Sequence, residues 1–131
     1  MAELNKDDIL RFSLDNVSFK KELHKISEAT LVSTSLKNIT QKKTYVTMKD
    51  LTLIRSDGIQ INTVADAQIL DTSFVSGEIY PGATVLSDWV FFYQHLKEVD
   101  VGDKFILSTD HGDFSHISLK KYGGFWSTIF R

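Results

Sequence analysis

The two-residue alternation of apolar and polar side chains is the feature that most limits how this chain can fold. Apolar residues recur at every second position in residues 10–14, and Val32, Thr34 and Leu36 share one side of residues 30–36. No stretch of a dozen residues shows the 3.6-residue repeat of an amphipathic helix. Alternate side chains of a strand lie on opposite faces of a sheet, so such runs bury one face. The sequence therefore predicts an all-β chain of antiparallel strands.

The alternation changes phase near the start of the chain, at Asp15-Asn16. Leu14 belongs to the earlier phase, and the alternation resumes at Val17 and Phe19. A one-residue slip turns every later side chain to the other face unless an extra residue is accommodated. We therefore predict a β-bulge or a tight turn at Asp15-Asn16.

Turn residues separate several of the apolar runs. Ser56–Gly58 lies between Leu51–Ile54 and Ile59–Ile61 and predicts a hairpin, because Asp and Gly both tolerate positive φ. A last hairpin is predicted around Asp110–Asp113. Residues 62–73 lack a period and are expected to form a connecting loop, with one helical turn as an option.

The run Val85–Tyr93 is apolar on both faces, which is typical of a central strand. Short strands punctuated by turns predict an immunoglobulin-like antiparallel β-sandwich of about seven strands, formed as a single domain by residues 1–131. The expected core positions are Val32, Leu36, Val46, Met48, Leu53, Val85, Val90, Phe92, Ile106 and Ile117.

Composition excludes several classes of protein. The 15 basic and 17 acidic residues are interspersed, so no field for nucleic acid is expected, and the absence of cysteine excludes disulfides and thiolate metal sites. The chain has no apolar run of about 18 residues, and so no membrane segment is expected. The chain as written is expected in the cytoplasm, or at the cell surface or secreted if an N-terminal leader was removed.

Three groups of residues carry a resemblance to a known family. They are the end of an early strand at Leu36–Asn38, the hairpin from Asp50 to Gly58, and Ser76–Gly82 followed by Trp89–Phe92. Residues 43–92 resemble the telokin-like, immunoglobulin-like domain of unknown function that is common in Gram-positive bacterial lipoproteins and membrane-anchored proteins. The resemblance implies an immunoglobulin-like fold and, since the family has no known reaction, a non-catalytic module.

The densest group of potential metal ligands is Asp110, His111, Asp113 and His116. Along a strand, residue 116 lies on the face opposite to 111 and 113, so a shared metal would require the loop to bend. An exposed polar hairpin tip is the preferred interpretation, with a metal site as the alternative. The neighbouring acids Asp100 and Asp103 lack the spacing of a calcium-binding loop, and a generic acidic loop is expected there.

No catalytic motif is present. Ser76-Gly77-Glu78 lacks the preceding glycine of a nucleophile elbow, and the sequence has no glycine-rich phosphate loop. We therefore predict that the chain is not an enzyme, with no catalytic residues, no cofactor and no metal. The predicted function is a protein-binding or assembly module, whose partner is another protein or a second copy.

A carbohydrate- or cell-wall-binding module is the alternative function, because exposed aromatic rings stack on sugars. Its candidates are Tyr80, Trp89, Tyr93 and Trp126, of which Trp89 and Tyr93 are expected to lie in the core.

The last residues, 123–131, form an apolar C-terminal extension. The predicted binding residues are Phe125, Trp126, Ile129 and Phe130. Side chains of this kind each gain about 1.5 to 3 kcal/mol from burial, so we expect them to be covered. Either they pack on a partner or add a strand to it, or they cover the chain's own sandwich.

Overall fold

The computed structural model describes residues 9–20, 29–63, 73–92, 96 and 98–123. These residues form ten strands and no helix, and every strand pair is antiparallel, which confirms the all-β prediction. Of the predicted loop over 62–73, residues 64–72 lie outside the described residues, and Asn62 belongs to a strand. The strands are β1 (Leu10–Lys20), β2 (Ala29–Asn38), β3 (Thr44–Ile54), β4 (Gln60–Asn62), β5 (Ser76–Ile79), β6 (Thr84–Phe92), β7 (Glu98–Val99), β8 (Lys104–Thr109), β9 (Gly112–Ile117) and β10 (Tyr122–Gly123).

The first sheet has the order β1-β2-β6. The pairing of β1 with β2 shifts by one residue between Leu14 and Asn16, which confirms the predicted bulge. The inward phase of β6 carries Trp89, which lies opposite Val32 of β2. Both side chains are fully buried, so this pair anchors the sheet to the core.

The second sheet has the order β4-β3-β8-β9, and β5 pairs with the first half of β3. The predicted β3–β4 hairpin is confirmed: Gly58 adopts φ +95° and its amide donates to the Arg55 carbonyl over 2.8 Å. The predicted last hairpin is the β8–β9 pair, in which Thr109 lies opposite Gly112. The remaining strands, β7 and β10, form a separate ladder of two residue pairs.

Inward side chains of the two larger sheets form one hydrophobic cluster. Six of the predicted core residues are buried, and Val85 and Ile106 are partly buried. The predictions for Phe92 and Ile117 are wrong, since these side chains are 39% and 54% exposed. The opposite phase of their strands points inward and carries Trp89 and Phe91 in β6 and Phe114 in β9. Both phases of these strands carry apolar residues, so packing and not the local pattern decides which face enters the core.

The prediction that β6 is central is not confirmed in the described sheet. β2 lies between β1 and β6, and β6 pairs with β2 alone among the described strands. One apolar residue on its outer face, Leu86, is 62% exposed. The described residues form ten strands where about seven were expected, and the difference comes from short strands: β4, β5, β7 and β10 have only two to four residues each.

Candidate functional site

The predicted polar hairpin tip is bonded to the backbone of β3. The Thr47 amide donates to Asp110 Oδ1 over 2.9 Å, and the Asp110 amide donates to the Thr47 carbonyl over 3.2 Å. His111 Nε2 lies 2.8 Å from the Tyr45 carbonyl oxygen and donates to it, since a carbonyl only accepts. Asp110 and His111 therefore make the hydrogen bonds that a neighbouring strand would otherwise make to the first half of β3, on the edge that does not face β5.

The other two members of that group point away from each other. His116 is partly buried and its ring meets Phe12 edge to face, with the centroids 6.3 Å apart, whereas Asp113 is exposed. Within the described ranges no three His, Cys, Asp or Glu residues are grouped so as to hold a metal ion. The alternation of β9 accounts for the separation.

One of the acids expected in a generic acidic loop is fully buried. Asp103 accepts the amides of Ser56 and Asp100 over 3.0 and 2.9 Å, and its Oδ2 lies 3.2 Å from Arg55 Nε. Arg55 also donates to the Glu98 carbonyl over 2.8 Å. A buried carboxylate needs both a counter-charge and hydrogen bonds, and Asp103 has both. No local pattern in the sequence distinguishes it from its exposed neighbours.

Ion pairs on the surface of the same end extend this network. Lys121 Nζ lies 3.2 Å from Glu98 and 3.8 Å from Asp100. The hydrogen bond and the charge of Glu98 raise the pKa of Lys121, with a smaller contribution from Asp100. These contacts connect the loop before β10 to β7 and to the turn before β8.

The outer edge of β9 has no backbone partner among the described residues. The Ser118 amide donates to the Asp103 carbonyl over 2.8 Å, and the Ser118 carbonyl accepts from Gly102 over 2.9 Å, so both face the β8 side. The two-residue repeat assigns the same side to His116 and Phe114. The amides and carbonyls of Asp113, Ser115 and Ile117 point the other way, and within the described part of the chain they have no hydrogen-bond partner.

Exposed aliphatic side chains lie next to that open edge. Ile117 is 54% exposed, and Leu119, two residues further on, is 85% exposed. The bond between Gly102 and Ser118 places Val101, itself 60% exposed, opposite Leu119. The end of β9 therefore combines backbone groups that have no partner in the described part of the chain with an apolar surface. Sequence analysis missed this site, because the hydrogen-bonding side of each residue follows from the strand order and not from local pattern.

A shallow groove of about 420 Å³ opens at the end of the sheets away from Asp103, between the loop after β2 and the turn before β6. Its wall includes Asn38, a fully buried residue. The Asn38 amide nitrogen donates to the carbonyls of Lys42 and Ile79 over 2.8 Å each, and its oxygen accepts from Thr40. Asn38 thus stabilises the loop, and its hydrogen-bonding groups are not directed at a ligand.

The aromatic candidates have different surroundings. Trp89 is fully buried and its Nε1 donates to Thr34 Oγ1 over 3.0 Å, which confirms its expected place in the core. Tyr80 is 62% exposed, with Lys43 Nζ 5.4 Å from its ring centroid. Tyr93 and the predicted binding residues lie outside the described residues; the latter are Phe125, Trp126, Ile129 and Phe130.

In comparisons with known proteins, no family model and no curated protein matches this chain. Over the described ranges the structure has no helix long and apolar enough to cross a membrane.

Proposed function

We propose that this chain is a non-catalytic protein-binding or assembly module, built as an immunoglobulin-like β-sandwich and similar to the telokin-like bacterial domain. Two antiparallel sheets that share one hydrophobic cluster support the sandwich. Three of the acidic and histidine side chains in the described ranges have structural partners: Asp110 and His111 bond to β3, and Asp103 bonds to Arg55. These structural roles support a module that binds rather than reacts.

The observation that carries the proposal is the open edge of β9. Six residues form this strand, none of them Pro or Lys, which are the residues that commonly protect an exposed edge. An extended peptide adds to such an edge through main-chain hydrogen bonds, and nearby side chains provide specificity. The exposed aliphatic residues Ile117, Leu119 and Val101 provide an apolar surface for that purpose.

The proposal is tested by selecting short peptides from a random library against the intact protein. Peptides that bind the edge of β9 are expected to be extended and to alternate apolar residues. Ser115→Pro removes an outward amide donor and is expected to abolish their binding, whereas the matched control Ser115→Ala keeps the amide and the binding. Selected peptides that bind the Pro variant as well as the Ala variant would show that the edge is not the site.

A carbohydrate- or cell-wall-binding module is the second candidate, and the exposed rings of Tyr45 and Tyr80 favour it. The two rings belong to neighbouring strands, since Tyr45 pairs with Glu78 of β5 and Tyr80 follows that strand. A glycan array separates the two functions: a carbohydrate module binds a sugar that Tyr80→Ala loses and Ser115→Pro retains. Lys43 already lies over one face of Tyr80, and so the edge of β9 is the preferred site.

A further inference from the structure

Near Ile117 the edge of β9 that has no partner among the described residues has an apolar side chain on each face of the sheet, whereas Asp113 and Ser115 on the outer face are polar. On the inner face the Phe12 ring contacts His116, and on the outer face Ile117 is exposed. A strand that adds here therefore gains most when it presents apolar side chains on both of its own faces. Most surface strands have only one apolar face, because they alternate apolar and polar residues.

Residues 125–130 of this chain meet that requirement. Trp126 and Phe130 share one phase, and Phe125 and Ile129 share the other. The segment has six residues, as many as β9 has. Antiparallel addition that pairs Ser127 with Ser115 places Phe125 opposite Ile117 and Trp126 opposite His116. The same register brings the Arg131 cation opposite His111, next to Asp110 in the turn between β8 and β9, so the charge there is complementary.

The described end of the chain favours a segment from a second copy. β10 ends at Gly123, which pairs with Glu98 of β7, and the Glu98 carbonyl accepts from Arg55 at the end of β3. In the sheet order, β8 separates β3 from β9. Gly123 is therefore held against β7 near Arg55, and among the described pairs β10 does not lie beside β9.

We propose that residues 125–130 of one copy of this chain add as an antiparallel strand to the open edge of β9 in a second copy. The inference rests on the proposed function and names the occupant of the binding edge. Each copy then has one donor segment and one acceptor edge, so two copies exchange segments reciprocally or further copies add in a row.

The experiment uses full-length variants that each remove one half of the contact. Ser115→Pro blocks the acceptor and keeps the donor, and Trp126→Ser combined with Phe130→Ser removes the donor and keeps the acceptor. The intact chain and the Ser115→Ala control are expected to associate with increasing concentration in sedimentation velocity. Each blocked variant alone is expected to lose at least about tenfold in association. A mixture of the two is expected to recover one-to-one complexes, because one intact contact is formed between them.

Three results would overturn the inference. The first is an intact chain that stays monomeric at every concentration, and the second is a Ser115→Pro chain that associates as strongly as the Ala control. The third is a mixture of the blocked variants that forms no complex. If library peptides still bind the edge in the Ala variant, the binding module stands and only its occupant is wrong; if none binds, the proposed function fails as well.

Discussion

The outer edge of β6 is covered and that of β9 is not, although each strand ends its sheet among the described residues. Phe74 donates its amide to the Leu86 carbonyl over 2.9 Å, and Ser87 Oγ donates to the Phe74 carbonyl over 2.8 Å. The Ser73 hydroxyl accepts the Asp88 amide over 2.8 Å. β9 has no such cover within the described residues. An uncovered edge is an aggregation hazard that natural proteins usually protect, and the partner binding proposed above would cover it.

The largest expected effect contrasts the two faces of β9. Phe114→Ala removes a fully buried ring and is expected to lower the free energy of unfolding by about 3 to 5 kcal/mol. Ile117→Ala on the exposed face is expected to change it by less than about 0.5 kcal/mol. Urea unfolding of both variants measures this. Equal losses would mean that the outer face of β9 is covered within the chain.

The next effect concerns the turn that holds the end of β9. Asp103→Ala leaves the Arg55 guanidinium without its buried partner and frees two amides, so a loss of about 3 kcal/mol is expected. Asp113→Ala serves as the matched control, because Asp113 is exposed. A neutral Asp103→Ala variant would contradict the role of this carboxylate. Thermal unfolding at neutral pH separates the two outcomes.

Opening the covered edge of β6 is expected to lower the free energy of unfolding by a smaller amount. Ser87→Ala removes the hydroxyl that holds the Phe74 carbonyl to β6, for a loss of about 1 kcal/mol in urea unfolding. Ser115→Ala on the uncovered edge is expected to be neutral. If both variants lose the same free energy of unfolding, the hydrogen bond from Ser87 does not make the covered edge more stable than the uncovered one.

The smallest loss of stability is expected where the Asp110 side chain bonds to the backbone of β3. Asp110→Ala removes the acceptor of the Thr47 amide at an exposed position, and about 0.5 to 1 kcal/mol is expected from urea unfolding. The Thr47 amide should then exchange with solvent faster, while that of Met48, which donates to the Val75 carbonyl, should not change. Unchanged exchange at Thr47 would show that Asp110 does not protect this edge.

Local pattern predicted the elements that depend on neighbouring residues. The bulge after Leu14 and the hairpin at Asp57-Gly58 follow from a phase change and from turn chemistry, and both are confirmed. The phase of β9 was predicted wrongly, because Phe114 and Ile117 are both apolar and only packing chooses between them.

Contacts between residues far apart in the sequence were not predicted, for a related reason. Asp103 is buried because Arg55, 48 positions earlier in the chain, folds against it, and the free groups of β9 depend on which strand lies beside it. The positions of these residues in space follow from the topology, which no local spacing records.

The openness of the β9 edge is tested most directly by amide hydrogen exchange at single-residue resolution on the intact chain, over a dilution series. At the lowest concentration the amides of Phe114 and His116 are expected to exchange slowly, because they face β8, and those of Ser115 and Ile117 to exchange fast. As the concentration rises, Ser115 and Ile117 should become protected, since a second copy supplies the missing strand. Slow exchange at Ser115 in the most dilute sample would contradict the account, because the edge would then be covered within its own chain.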